Sequence, residues 1–179
     1  MPFNSPDIET FKQNLDSTIV AVQKHKTESH AAIKIQSMLN VTVYVLATRF
    51  TEATIKHIIY NCCKMRGDNQ AAIQPHIDRL KGFNNPEFKK VREVFQECLN
   101  FDITNGQTAG RFGQTDITFM NEIVLNRHRN VHASFDSSEW YNQNKKDLSN
   151  FTQEYTGLLK ILEYLDSIVY DPATNTFRD

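Results

Sequence analysis

The stretch "AAIKIQSMLNVTVYVLATRFTEATIKHIIYNCCKM", Ala31 to Met65, decides the fold class. It runs thirty-five residues without a glycine or a proline. Val41–Val45 is rich in β-branched residues and alone would suit a strand. No turn signal flanks it, however, and the apolar residues on either side keep helical steps of three and four. Ile35, Met38, Leu39, Val43, Leu46, Phe50, Ile55, Ile58, Ile59 and Cys62 lie nearly all round such a helix. A helix that is apolar on most sides is the buried, central one. Gly67, with Asp68 and Asn69, supplies its stop.

On the N-terminal side, Ser5 is placed as an N-cap and Pro6 as the first helical residue. Ile8, Phe11, Leu15, Ile19 and Val22 then form the stripe of an amphipathic helix. On the C-terminal side, residues 70–86 read as a connector with a short helix around Ile73–Leu80. Asn85-Pro86-Glu87 restarts a helix with Asn85 as its cap and Phe88, Val91, Phe95, Cys98 and Leu99 as its core face. "NFDITNGQTAGRFGQTD", Asn100 to Asp116, holds three of the six glycines and reads as a long polar loop. Thr115 or Asp116 caps the next helix, which points Ile117, Met120, Ile123 and Val124 inward. "FDSSEW" interrupts it at Phe135–Trp140. A last helix from about Trp140 to Tyr170 ends before Pro172, and the tail "ATNTFRD" is expected to fray. The sum is an all-α, up-down bundle of four main helices plus one or two short ones. It forms one domain over residues 1–179, with an ordered core over about 5–171.

Composition narrows the function classes. A formal net charge of -1 provides no basic coat, so any polyanion contact must come from a local patch. The three cysteines, Cys62, Cys63 and Cys98, leave at least one thiol unpaired and form no C-x-x-C pair. A reducing, cytoplasmic setting without a zinc site is therefore expected. "MPFNSPDIE" has no basic-then-apolar run, so no signal peptide is expected. No run of eighteen apolar residues suggests a membrane span.

The densest chemistry lies in "LNRHRNVHAS", Leu125 to Ser134, where two arginines, two histidines and an asparagine fall within six positions. No acid lies between Glu122 and Asp136. The plain reading is that cations complement the dipole at a helix C-terminus. Zinc binding through His128 and His132 is a second reading, opposed by two flanking arginines that repel a cation. Phosphate contact is a third. The sharpest is metal-free RNA cleavage. That reaction needs a base for the 2'-OH, an acid for the leaving 5'-oxygen and a cation for the phosphorane. Histidine and arginine cover those roles. On an unbroken helix Arg127 and His132 diverge by about 140°. They meet only if the helix bends or if a second copy of the chain lies opposite.

Arg127-His128-Arg129-Asn130-Val131-His132 resembles the signature of the HEPN superfamily: an arginine, a polar residue, several residues and a histidine. The small Ala133-Ser134 that follows also fits. "YVLATRFTEATIKHII" is similar to the helix of the RiboL-PSP-type branch in which an acid follows an apolar and aromatic run, with Glu52 as that acid. The resemblance covers most of residues 5–170 in layout and these two segments in residue detail. It implies a HEPN-like bundle and a metal-independent endoribonuclease. Such an enzyme acts as a homodimer, needs no cofactor and leaves 2',3'-cyclic phosphate and 5'-OH ends. Many relatives serve in toxin-antitoxin or phage-defence systems beside a separate antitoxin or effector protein. His132 would be the general base or acid, Arg127 would steady the phosphate and His128 would orient or polarise one of them. The alternative is a non-catalytic HEPN-type module that binds nucleotide, RNA or protein.

Glu52 has two readings: an ion pair with Lys56, or an acid that holds Arg127 or an imidazole in place. Arg129, Asn130, Lys145, Lys146 and the loop residue Arg111 are the further candidates for RNA contact. Lys145 and Lys146 equally suit an ordinary solvated face, and Trp140 and Tyr141 either stack on a base or pack in the core.

Overall fold

The computed structural model describes residues 2–24, 30–135, 143 and 148–179. About 75% of the described residues are helical. The described residues form α1 (Pro6–Lys24), α2 (His30–Met65), α3 (Gln70–Lys81), α4 (Phe88–Leu99), α5 (Thr104–Thr108), α6 (Gln114–Phe135) and α7 (Phe151–Asp166). A small antiparallel hairpin, β1 (Val169–Asp171) with β2 (Thr176–Arg178), follows them, with Tyr170 opposite Phe177. The all-α bundle expected from sequence is what forms.

The central helix is α2, 36 residues long and helical through Val41–Val45. It buries Val43, Tyr44, Ala47, Ile55, Ile59 and Cys63. Tyr44 meets Phe151 of α7 edge-on at 5.1 Å. Gly67 ends the helix at φ +84°, with its own N–H on the Lys64 carbonyl and that of Asp68 on the Cys63 carbonyl. This paired return of amides to the last turn needs a left-handed residue, and glycine takes it without strain. Helices α6 and α7 pack antiparallel. Asp116 of α6 pairs with Lys160 of α7 at 3.0 Å. A Cβ on Gly157 would stand 2.7 Å from the Phe119 ring, so the contact depends on having no side chain there.

Five expectations change. The helix around Ile73–Leu80 starts earlier, at Gln70, because the Asn69 side chain accepts the Ala72 N–H. Asn85 is not the cap of α4; Glu87 holds that position, while Asn85 adopts φ 48° two residues before it. The glycine-rich stretch is more than a long polar loop. It carries α5 and buries Phe101, Ile103 and Phe112, and Gly106 lies flush against the Tyr164 ring. The tail does not fray: β2 buries Phe177, and the Arg66 guanidinium stacks 5.7 Å from its ring. The last helix was also expected to run to Tyr170, but it stops at Asp166 and the chain enters the hairpin. Its expected beginning at Trp140 falls outside the described residues.

Candidate functional site

The motif lies on the second half of α6. The first half is built as expected, with Ile117, Met120, Ile123 and Val124 buried. Gly113 precedes the helix. Asp116 does not cap it from outside but reaches back from the first turn to accept the Gly113 N–H at 2.8 Å. Past Val124 the inward positions become polar, with Asn126 and Asn130 both buried. The Asn130 side-chain amide donates to the Asn126 carbonyl at 2.9 Å. The Asn126 Nδ2 group is buried without a hydrogen-bond partner among the described residues.

Arg127 is half-buried, and its Nη1 donates to the Asn85 side-chain oxygen at 2.7 Å. Asn85 is held in turn. Its backbone N–H donates to Glu52 Oε1 at 3.0 Å, and its carbonyl accepts the Glu87 N–H at 2.8 Å. Glu52 thus forms no ion pair with Lys56. It is linked to Arg127 through one intervening asparagine. Sequence reading picked out both ends of this relay and missed its middle. The available signal was an Asn-Pro dipeptide, which marks a turn but not what its side chain grips.

His128 and His132 share a face, with ring centroids 4.2 Å apart and planes 58° apart. His128 is exposed and His132 half-buried. Partial burial, then the neighbouring His132 and then Arg127 push the His128 pKa below the usual imidazole value of 6.5. His128 is therefore held toward its neutral, proton-accepting form. Because α6 continues without a break to Phe135, Arg127 and His132 point about 140° apart within one chain.

The other described candidates, Arg129, Asn130 and Arg111, are placed differently. Arg129 pairs with Glu122 at 3.2 Å and approaches Asn126 Oδ1 at 3.4 Å. Glu122 stands two turns back on the same helix face, so one acid does reach the cluster. Asn130 is 2% exposed and faces inward, which removes it as an RNA contact in this chain. Arg111 is exposed but lies near Tyr164, at the end of the bundle where α6 begins. From Asp116 to Arg127 the helix rises about 16 Å, so Arg111 is not part of the motif's surface. Lys145, Lys146, Trp140 and Tyr141 lie outside the described residues.

Two further clusters come from the fold. Cys63, Asp68 and His76 bring their ligand-type atoms within 4.8 Å of one another. Arg66 already occupies this position, gripping Asp68 at 2.6 Å and reaching His76 Nε2 at 3.5 Å. A dication would have to displace that guanidinium, and the Asp68 carboxyl is held below its usual range by it. Burial raises the Cys63 pKa and pushes that of Cys62 up to about 12, so both remain thiols. The second cluster is Ser5, whose hydroxyl lies 2.8 Å from His57 Nε2, beside Asp166. Asp166 accepts the Asn4 and Ser5 amides, and Phe3 packs on Phe50, so this cluster fastens the N-terminal strap to the bundle.

In comparisons with known proteins, no family model, no curated protein and no solved structure matches this chain. Among the described residues, no helix is long and apolar enough to cross a membrane.

Proposed function

We propose that this chain is a metal-independent endoribonuclease of the HEPN type that works as a homodimer. The observation that carries the reading is the arrangement on α6. Arg127 is held by a neutral amide rather than a carboxylate, and on the adjoining face of the same helix His128 and His132 form a touching imidazole pair. An imidazole takes the 2'-OH proton and the 2'-oxygen attacks phosphorus. The 5'-oxygen then leaves with a proton from a second imidazole, giving a 2',3'-cyclic phosphate and a 5'-OH. Arg127 stabilises the charge that builds on the phosphoryl oxygens.

One chain supplies Arg127 and His132 on diverging faces, so a second copy completes the set. A two-fold axis is the commonest way to pair them. Leu125 supports this, being an apolar residue 38% exposed and one turn before His128. The three unpaired, buried thiols suit a reducing, cytoplasmic setting. A toxin or defence role with a separate partner protein follows only from the resemblance of the motif.

The test is purified protein with RNA in EDTA. Cleavage to cyclic-phosphate ends, abolished in His132→Ala, is the expected result; intact RNA with wild-type protein overturns it. A binding module without catalysis is the second reading, favoured by the Arg129–Glu122 pair, which thins the basic surface. It holds if wild type and His132→Ala bind RNA equally and neither cuts.

A further inference from the structure

We infer that Asn85 is a positioning residue for the Arg127 guanidinium, with Glu52 as its anchor; the inference rests on the ribonuclease reading and deepens it. Three contacts fix Asn85. Its N–H meets Glu52 Oε1 at 3.0 Å, its carbonyl meets the Glu87 N–H at 2.8 Å, and its side-chain oxygen meets Arg127 Nη1 at 2.7 Å. Its backbone sits at φ 48°, a conformation open to asparagine and glycine and costly for most residues.

The choice of an amide has a chemical consequence. A carboxylate at Asn85 would grip the guanidinium more strongly but cancel its charge. Arg129, held by Glu122, shows that alternative two residues away. An amide oxygen fixes the direction of the guanidinium and leaves its charge for a phosphate. The carboxylate of Glu52 is kept one residue back, spent on a backbone amide rather than on Arg127. Asn85 and Glu52 touch no substrate in this scheme; they act through Arg127.

Two substitutions at Asn85 keep the left-handed turn and separate the possibilities. Asn85→Gly retains the backbone and removes the amide. Its expected effect is a fall in kcat of about tenfold to a hundredfold at unchanged melting temperature, because a misdirected cation loses transition-state contact. Asn85→Asp retains the grip and cancels the charge. It should raise KM and flatten the salt dependence of binding to a non-cleavable 2'-deoxy oligonucleotide by about one unit of slope. Glu52→Ala, which removes the acceptor of the Asn85 N–H, should behave as Asn85→Gly.

A readout independent of cleavage accompanies these. The Arg127 side-chain N–H resonances, assigned with Arg127→Lys, should be separate in wild type and collapse on free rotation in Asn85→Gly. Asn85→Gly with wild-type kcat and wild-type resonances overturns the inference, as does a wild-type guanidinium that already rotates freely. Wild-type protein that fails to cut RNA overturns the ribonuclease reading instead. The resonances and the oligonucleotide affinities then still decide whether Asn85 positions Arg127.

Discussion

The two halves of α6 are built for different tasks. In the first, Asp116 ties the helix start to Gly113 and to Lys160, Phe119 lies on the bare backbone of Gly157, and Ile117, Met120 and Ile123 are sealed in the core. In the second, the inward positions are Asn126 and Asn130, and the outward ones carry Arg127, His128 and His132. Among the described residues the buried Asn126 donor has no partner, a feature that costs roughly 1–3 kcal/mol. The first half gains stability by close apolar packing. The second gives up some of that packing and orients its arginines through side-chain hydrogen bonds to Asn85, Glu122 and Asn126 instead. One continuous helix therefore carries a rigid foot and a chemically loaded end, and the foot sets the register of the end.

The sharpest way to break this comparison is to exchange the consequences of substitution. His132→Ala should lower cleavage by about a hundredfold or more while leaving the urea midpoint in place. Gly157→Val should do the reverse. Its added carbons would collide with the Phe119 ring and the Asp116 backbone, destabilising the fold by about 1–3 kcal/mol in urea titration. Cleavage per folded molecule should be unchanged. A His132→Ala protein that unfolds, or a Gly157→Val protein of full stability, would erase the distinction between the halves.

Periodicity made the first half legible. Apolar residues at helical spacing are the direct cause of burial, so α2, α6 and the α4 core face can be read from the letters alone. The second half was legible as a motif but not as a network. Glu52 and Arg127 are far apart in sequence, and nothing local to either says that Asn85 joins them. The Arg129–Glu122 pair was hidden for a related reason. A count of acids inside a window misses one seven positions back that a long side chain reaches along the helix face. Phe177 looked like a frayed tail because its burial depends on Arg66 and the hairpin, both contacts made only after folding.

A smaller effect tests the electrostatics of the loaded end. Burial, His132 and Arg127 all disfavour the charged form of His128, so its folded pKa lies below 6.5. Between the folded and unfolded values the unfolded chain binds more protons. The cost of charging His128 in the fold is therefore absent above 6.5 and grows as the pH falls through that window. If His128 takes the 2'-OH proton, the acid limb of the pH–rate profile lies below the usual imidazole value as well. Titration of its ring protons by NMR checks the direction. Arg127→Gln should move the midpoint upward; a midpoint that stays or falls would show that Arg127 does not act on this ring.

The finest contrast is between two arginines two residues apart. Arg127 is held by a neutral amide, whereas Arg129 is paired with the Glu122 carboxylate, which offsets its charge. Arg127→Ala should therefore weaken RNA binding and remove about one unit from its salt slope, while Arg129→Ala changes either only slightly. Glu122→Gln should release the Arg129 charge and raise affinity a few-fold at low salt, with the gain lost as salt is added. Equal losses from the two arginine substitutions would mean that the Glu122 pair is too exposed to screen Arg129. The whole basic face, rather than one oriented guanidinium, would then hold the RNA.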